Sequence, residues 1–523
     1  MGSPMVNDSC VRALQRKRDA FGTPTFEIRR DECSQVFLEA YYRYVAKTRE
    51  DLKKLPPSSR GWWRLSSSLL QRGGARESIP PLKRGDDSWA LSPAERANEL
   101  ATVFRSKSHL PESVENEYTE VAPDTSAKMF RIPRLSVTTT YAMLRGIDET
   151  SGTGPDLLPA RVFKACAAEL ALPVTLLTRK LLRERCWPAC WRLHWVHAIH
   201  KKGSKAEGKN YRGIHLTPQL SKIVERAAGS VILPWLEATG AYGPHQYAYA
   251  KRRGYKDVLA VNVCSWLLLL EEGLAVGLFC SDVSGAFDRV SGARLTKKLT
   301  ATGLHPDIIG FLASWLADRT SQVVLGGAAS LAEVLADSVF QGTVLGPPLW
   351  NVYFADARRA LVHTGFQETV FADDLNAWKA FRMISSAADP HEAPLQTLRE
   401  AQSELHRWGA ANQVMFDPGK DSFHILHRSR CHGENFKILG CVFDPQLRML
   451  AAVRHVATEA GWRLKTVFRG RKFFTTPELV RLYKAQILSY LESSTPALYH
   501  AAAYGVAWLD RSTIAILTRN RVL

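Results

Sequence analysis

Phe371-Ala372-Asp373-Asp374, followed by Leu375, ends an apolar run in a doubled aspartate. Side chains alternate across a strand, so two adjacent aspartates face one site only where the strand bends at a hairpin tip. Upstream, Ser281-Asp282-Val283-Ser284-Gly285-Ala286-Phe287-Asp288 follows the apolar Val276-Gly277-Leu278-Phe279-Cys280. Each run reads as a buried strand with a carboxylate at its mouth. Three carboxylates drawn together repel one another, so such a cluster makes sense only around cations. Two magnesium ions about 3.5–4 Å apart can clamp the attacking and leaving oxygens of a phosphoryl transfer. A lone aspartate pair would also suit a solvent-facing turn. The second aspartate strand is what favours chemistry.

Between the two sites the pattern predicts a helix over 291–317, a strand over Gln322–Leu325, a turn at Gln341 and a helix over 347–361. After Asp374 comes an amphipathic helix with Leu395, Leu398, Leu405 and Trp408 on one face. Strands alternating with crossing helices suggest an α+β arrangement, a split βαβ unit of the ferredoxin-like kind.

Other residues near these sites invite roles. Phe287 lies five residues beyond Asp282, where a bulky ring can sit under a nucleotide sugar and exclude a 2′-hydroxyl; an ordinary core phenylalanine is the plain alternative. Asp288 is expected to cap the following helix. Gln341-Gly342-Thr343-Val344-Leu345-Gly346-Pro347-Pro348 enters a helix with glycines that permit close approach of backbone to a base or sugar. Lys420, after Pro418-Gly419, is placed to protonate a pyrophosphate leaving group, or is a surface lysine in a turn. Lys201, Lys202, Lys205, Lys209 and Arg212 make a basic loop and strand suited to phosphate. Cys186, Cys190, His194, His197 and His200 fit no usual zinc spacing and interleave with Trp187, Trp191 and Trp195, which reads as packing at a helix-to-strand junction. Cys431-His432 with Cys441 lacks a fourth ligand.

The bulk properties agree with a polyanionic partner. Of 523 residues, 69 are basic and 51 acidic, a net charge of +18, which suggests salt-sensitive binding to nucleic acid. A chain this long exceeds one hydrophobic core, so about two to four subdomains are expected. Nine scattered cysteines favour reduced thiols in an intracellular compartment. No apolar run reaches the ~18 residues needed to span a bilayer, and the amino terminus has no signal-peptide core. Residues 1 to 130 are mostly polar, with helix-like pieces at Glu32–Ala46 and Pro93–Phe104. Trp62-Trp63 is expected to dock onto the later body, and 106–128 reads as a linker. Beyond it, helices are expected over Ala160–Leu182, Ser221–Leu236 and Asp257–Leu270, with a strand at Trp195–Ile199.

In this order the motifs resemble the reverse transcriptases of non-long-terminal-repeat (LINE-type) retrotransposons, over roughly Leu135 to Leu498. Gly154-Pro155-Asp156 resembles that family's GPD turn. Lys201-Lys202-Gly203 with Asn210-Tyr211-Arg212-Gly213-Ile214 resembles its basic finger element, and His245-Gln246-Tyr247-Ala248-Tyr249 its QFGF-type step. Lys420 and Phe436-Lys437-Ile438-Leu439-Gly440 are similar to the two motifs after the palm. Two departures stand out: Ser338-Val339-Phe340 where the family often has Gly-Val-Pro, and Phe371 for the commoner tyrosine.

The resemblance implies a right-hand polymerase: residues 131–260 as fingers, 261–430 as palm, 431–523 as the palm's end and a truncated thumb, and 1–130 as a mostly helical extension. It implies RNA-directed DNA synthesis from dNTP on an RNA template with a DNA primer. Asp282, Asp373 and Asp374 would hold two Mg2+ (or Mn2+). Lys201, Arg212, Phe287, Gln341, Gly342 and Lys420 would meet the nucleotide. A nuclear location and integration by target priming follow from the family's life cycle. No endonuclease module fits before residue 135, so a fragment of a longer element, or a decayed copy, is expected. An RNA-dependent RNA polymerase and a silent RNA-binding remnant are the rival readings.

Overall fold

The computed structural model describes residues 6–70, 79–112, 130–383 and 389–501, which fall into two compact units. The larger spans 79–440 with 445–447; the smaller joins the amino-terminal residues to 441–444 and the chain from 448 onward.

In chain order, the larger unit's longer strands are β1 (Leu193–His200), β2 (Tyr211–Leu216), β3 (Ala275–Ser281), β4 (Arg319–Leu325), β5 (Gln367–Phe371), β6 (Asp374–Phe381) and β7 (Ser422–Leu426). Around them run α1 (Pro93–Lys107), α2 (Gln219–Ala238), α3 (Tyr255–Glu271), α4 (Gly292–Ala301), α5 (Pro306–Leu316), α6 (Gly346–Phe354) and α7 (Glu392–Asn412).

One sheet has the order β7-β3-β6-β5, every pair antiparallel. Counted along the chain this is 4-1-3-2: the last strand returns beside the first, as in a split βαβ unit. β3 sits centrally, which explains its unbroken apolar run. Ala275, Val276, Leu278 and Phe279 are all fully buried. Asn262 of α3 reaches Thr369 of β5 at 2.9 Å, tying helix to sheet inside the core.

A second sheet has the order β2-β1-β4, with β1 and β4 parallel. α1 covers it, packing Ala97, Leu100 and Ala101 against Val196, Tyr211 and Val323. Pro93 at the first turn and a Ser92–Glu95 capping box fix where this helix starts, and therefore where Lys107 ends it.

Several expectations change. The strand expected at Gln322–Leu325 starts at Arg319 and belongs to the second sheet, because its pairing partner is β1. The helix expected over 291–317 is two helices, parted by Gly303 in a left-handed conformation and Pro306. The one over 347–361 breaks at a 3-10 turn, Ala355–Arg358, and Ala160–Leu182 breaks at Cys166. Asp288 does not cap α4; Ser291 does, accepting from Arg294 N. Of the linker expected over 106–128, residues 113–128 lie outside the described residues.

In the smaller unit, Trp62 is fully buried among Leu464, Phe474 and Leu482, with its indole N–H 3.4 Å from Glu478 Oε1. Trp63 meets it edge to face. The tryptophan pair therefore does dock onto later helices. Among the described residues, no helix is long and apolar enough to cross a membrane.

Candidate active site

The β5–β6 hairpin turns through Ala372 and Asp373, with Phe371 paired to Asp374. Ala372 takes φ +61°, a left-handed conformation costly for a residue with a Cβ, so the surroundings must hold it. Gln246 does so with both ends of its buried amide. Its Oε1 accepts from Ala372 N at 3.0 Å, and its Nε2 donates to Ala372 O at 3.3 Å. The Trp350 indole donates to the same carbonyl at 3.0 Å. This bend is what lets two consecutive aspartates serve one site.

The register of β3 against β6 sets Leu375 opposite Ser281, so one step outward Asp374 lies across from Asp282. Strand pairing thus brings together two carboxylates 374 − 282 = 92 positions apart. Their charges feel one another. Burial, then Asp373 and Asp282, push the Asp374 carboxyl up to about 6, against Lys201. Burial also raises Asp373, with Asp282 adding and Arg212 and Lys201 opposing. Lys420 Nζ lies 3.0 Å from Asp282 and 2.8 Å from Asp417. Burial alone would lower that ammonium, but the two carboxylates outweigh it and raise it.

A cavity of about 450 Å³ opens over these groups. Asp282, Asp373, Lys201, Arg212, Phe287, Gln341, Gly342 and Lys420 all line it; Asp374, the first residue of β6, is not part of that lining. Phe287 is buried, its ring stacked 5.9 Å from Trp350 and edge-on to Tyr249. Gly342 has φ +104°, and a Cβ there would lie 2.7 Å from the His215 carbonyl oxygen, so glycine alone lets the turn seat on β2. His215 N in turn donates to Gln341 O at 2.7 Å.

Sequence reasoning missed several participants. Lys107 enters the cavity from α1, donating to Tyr211 O at 2.9 Å and Lys209 O at 3.0 Å. Arg289 joins it, its Nε donating to Lys107 O at 2.9 Å. Asp288 also faces the cavity, raised by burial against the pull of Lys107, Arg212 and Arg289. For Arg289, a basic residue directly after Asp288 was the available signal. For Lys107 there was none.

Among the described residues, no three His, Cys, Asp or Glu side chains converge closely enough to hold an ion as they stand. The donor set nonetheless fits one: carboxylate oxygens alone are the ligands of a hard divalent cation. Their mutual repulsion calls for positive charge, and the Lys420 ammonium supplies it on Asp282.

Residues 199–443 match the family described as reverse transcriptase (RNA-dependent DNA polymerase). The RNA-directed DNA polymerase from mobile element jockey of Drosophila funebris is 23% identical over 472 residues, covering 85% of this chain and 50% of that protein. The probable RNA-directed DNA polymerase from transposon X-element of Drosophila melanogaster is 31% identical over 244 residues, 45% of this chain and 26% of that one. The chain spans about half the length of the jockey proteins it matches. Among solved structures, an apo telomerase from Candida tropicalis, truncated from its C-terminal domain, aligns at TM-score 0.35 and 11% identity over 49% of this chain and 53% of its own.

Proposed function

We propose that this chain, which carries a reverse transcriptase domain homologous to those of LINE-type retrotransposons, copies RNA into DNA by extending a primer 3′-hydroxyl with deoxynucleotides. The observation that carries the reading is the facing of Asp282 and Asp374 across β3 and β6, beside a cavity lined with cations.

In this reading residues 131–260 are fingers, 261–430 the palm, and 431–523 the palm's end with part of a thumb, after an extension over 1–130. The 4-1-3-2 strand order supports the palm assignment. Asp282, Asp373 and Asp374 would hold two magnesium ions, with manganese a substitute. When bound, such ions lower the pKa of the primer hydroxyl and neutralise charge on the leaving pyrophosphate.

The remaining work falls to side chains already in position. Lys201 and Arg212 bind the triphosphate, the guanidinium engaging two oxygens at once. Phe287, locked by Trp350 and Tyr249, lies where the sugar rests and excludes a 2′-hydroxyl. Gln341 and Gly342 bring backbone and amide against the template or nucleotide. Lys420 leaves Asp282 and gives a proton to pyrophosphate. An RNA template and DNA primer follow the basic surface, and the element's life cycle puts this work in the nucleus.

The test is magnesium-dependent extension of a DNA primer on an RNA template by the purified chain, with dNTP and with rNTP. Asp282→Ala and Asp373→Ala should each abolish extension while leaving the fold intact. Extension that survives either change overturns the assignment; a preference for rNTP makes the chain an RNA polymerase.

A further inference from the structure

The turn that carries Gln341 hangs from buried charge. Glu225, His194, Arg319 and Phe340 are fully buried, and His215 nearly so. A guanidinium so placed is costly unless its surroundings satisfy it, and an apolar core would build the same fold more cheaply. Here the Arg319 Nε donates to Trp315 O at 2.6 Å, and Nη1 to Trp191 O at 3.0 Å and to His194 Nε2 at 2.7 Å. Because arginine only donates, His194 Nε2 must be the acceptor, which puts the His194 proton on Nδ1. That proton points to His215 Nδ1 at 3.1 Å. The His215 backbone N–H then donates to Gln341 O.

Phe340 closes the set. Its φ of +51° is strained for an aromatic residue. Its ring meets both imidazoles edge-on, at 5.0 Å and 5.6 Å, and lies 5.2 Å from the Arg319 guanidinium. On the far side of the turn, the Glu225 carboxylate accepts from Val344 N at 2.7 Å and Leu345 N at 3.4 Å. The Gln341 turn is thus held at one end by a backbone bond to β2 and at the other by a buried carboxylate.

We infer that Arg319, His194 and His215 form a positioning device that holds the Gln341 turn at the height the incoming nucleotide requires, with Phe340 as its keystone. The inference rests on the polymerase reading of the cavity. These residues touch no substrate; they act through Gln341.

The experiment is steady-state primer extension by the full chain with His194→Leu and Phe340→Leu, each alone and combined with Gln341→Ala. Either single change should raise KM for dNTP about fivefold and leave kcat within about twofold, because the turn is displaced while the carboxylates stay put. In the Gln341→Ala background the same changes should add nothing further. Multiplicative effects in that background, or an unchanged KM in a folded variant, would overturn the inference. If both variants fail to fold by circular dichroism, the set is structural only and the inference likewise falls. An inactive parent chain sinks the polymerase reading and this with it, whereas an active parent with independent effects sinks this alone.

Discussion

Gln246 holds Ala372 by both its N–H and its C=O, so the side chain of one residue replaces a strand partner for another 126 positions away. The consequence is that the aspartate hairpin's bend is held by a residue outside its own strands, on a segment whose backbone bridges to Val370 of β5. Gln246→Leu keeps the volume and removes three bonds, leaving Ala372 N and Ala248 N unpaired in the core while Ala372 O keeps the Trp350 indole. A loss of about 2–4 kcal/mol in urea unfolding is expected. Extension should fall ~100-fold in kcat with KM nearly unchanged, since the hairpin carries ligands rather than nucleotide contacts.

That bond also shows where the sequence stopped being readable. Asp282 and Asp373 were legible because each follows an apolar run, and apolar runs mark central strands whatever their partners. Which strands pair was not legible. Gln322–Leu325 has a period that suits either sheet, and only its parallel register with β1 assigns it. Asp288 and Ser291 both suit a helix cap, and the chain chose the serine because the aspartate is drawn among Lys107, Arg212 and Arg289. Arg319 reads locally as an ordinary basic residue after a helix. Its burial follows from partners 125 and more positions distant.

Phe287 has little freedom: stacked on Trp350, it presents a fixed edge to the cavity. Phe287→Val opens that edge. The kcat/KM ratio of dNTP over rNTP should drop by ~10–100-fold, mostly through faster rNTP use. Single-nucleotide incorporation with matched dNTP and rNTP measures it, and an unchanged ratio would move the sugar elsewhere.

Gly342→Ala meets two penalties, strain at φ +104° and a Cβ 2.7 Å from a β2 carbonyl. Gly240→Ala is the natural control, with φ +66° and nothing within 4 Å of its Cβ. The control should cost about 1 kcal/mol, the strain alone, and Gly342→Ala at least ~2 kcal/mol. Equal losses in thermal unfolding would mean that the turn shifts freely off β2.

Asp374 shows the conflict between stability and chemistry. Burial and two neighbouring carboxylates raise its carboxyl to about 6, above the ordinary value, so its ionised form disfavours the fold. A raised carboxylate weakens the fold as pH climbs through 6 and has no such effect below about 4, where folded and unfolded states are both protonated. In EDTA at pH 7.5, Asp374→Asn should therefore stabilise the chain by about 1–2 kcal/mol, and abolish extension once magnesium is restored. Magnesium should raise the melting temperature of the parent but not of the variant. A variant less stable than the parent in EDTA would mean that the three charges do not repel as their placement requires.

The histidine pair makes the opposite demand. Burial, then the Arg319 charge, lowers His215 to about 3, and the same causes hold His194 well below its ordinary value. The groups facing His215 are the neutral His194 ring, the Phe340 ring edge and the Arg319 cation, with Lys107 and Asp288 lining the same small pocket; burial and the Arg319 charge prevail, and the ring stays neutral. Both rings are neutral in the fold, while in the unfolded chain they take up protons near 6.5. Their contribution is complete above about 6.5 and is lost as pH falls towards 3, at roughly 1.4 kcal/mol per unit for His215. Between pH 6.5 and 5 the parent should lose about 2 kcal/mol more than His215→Gln in urea unfolding, because the variant has no ring to charge. Parallel losses would show that acid enters the protein elsewhere and leaves this pair untouched.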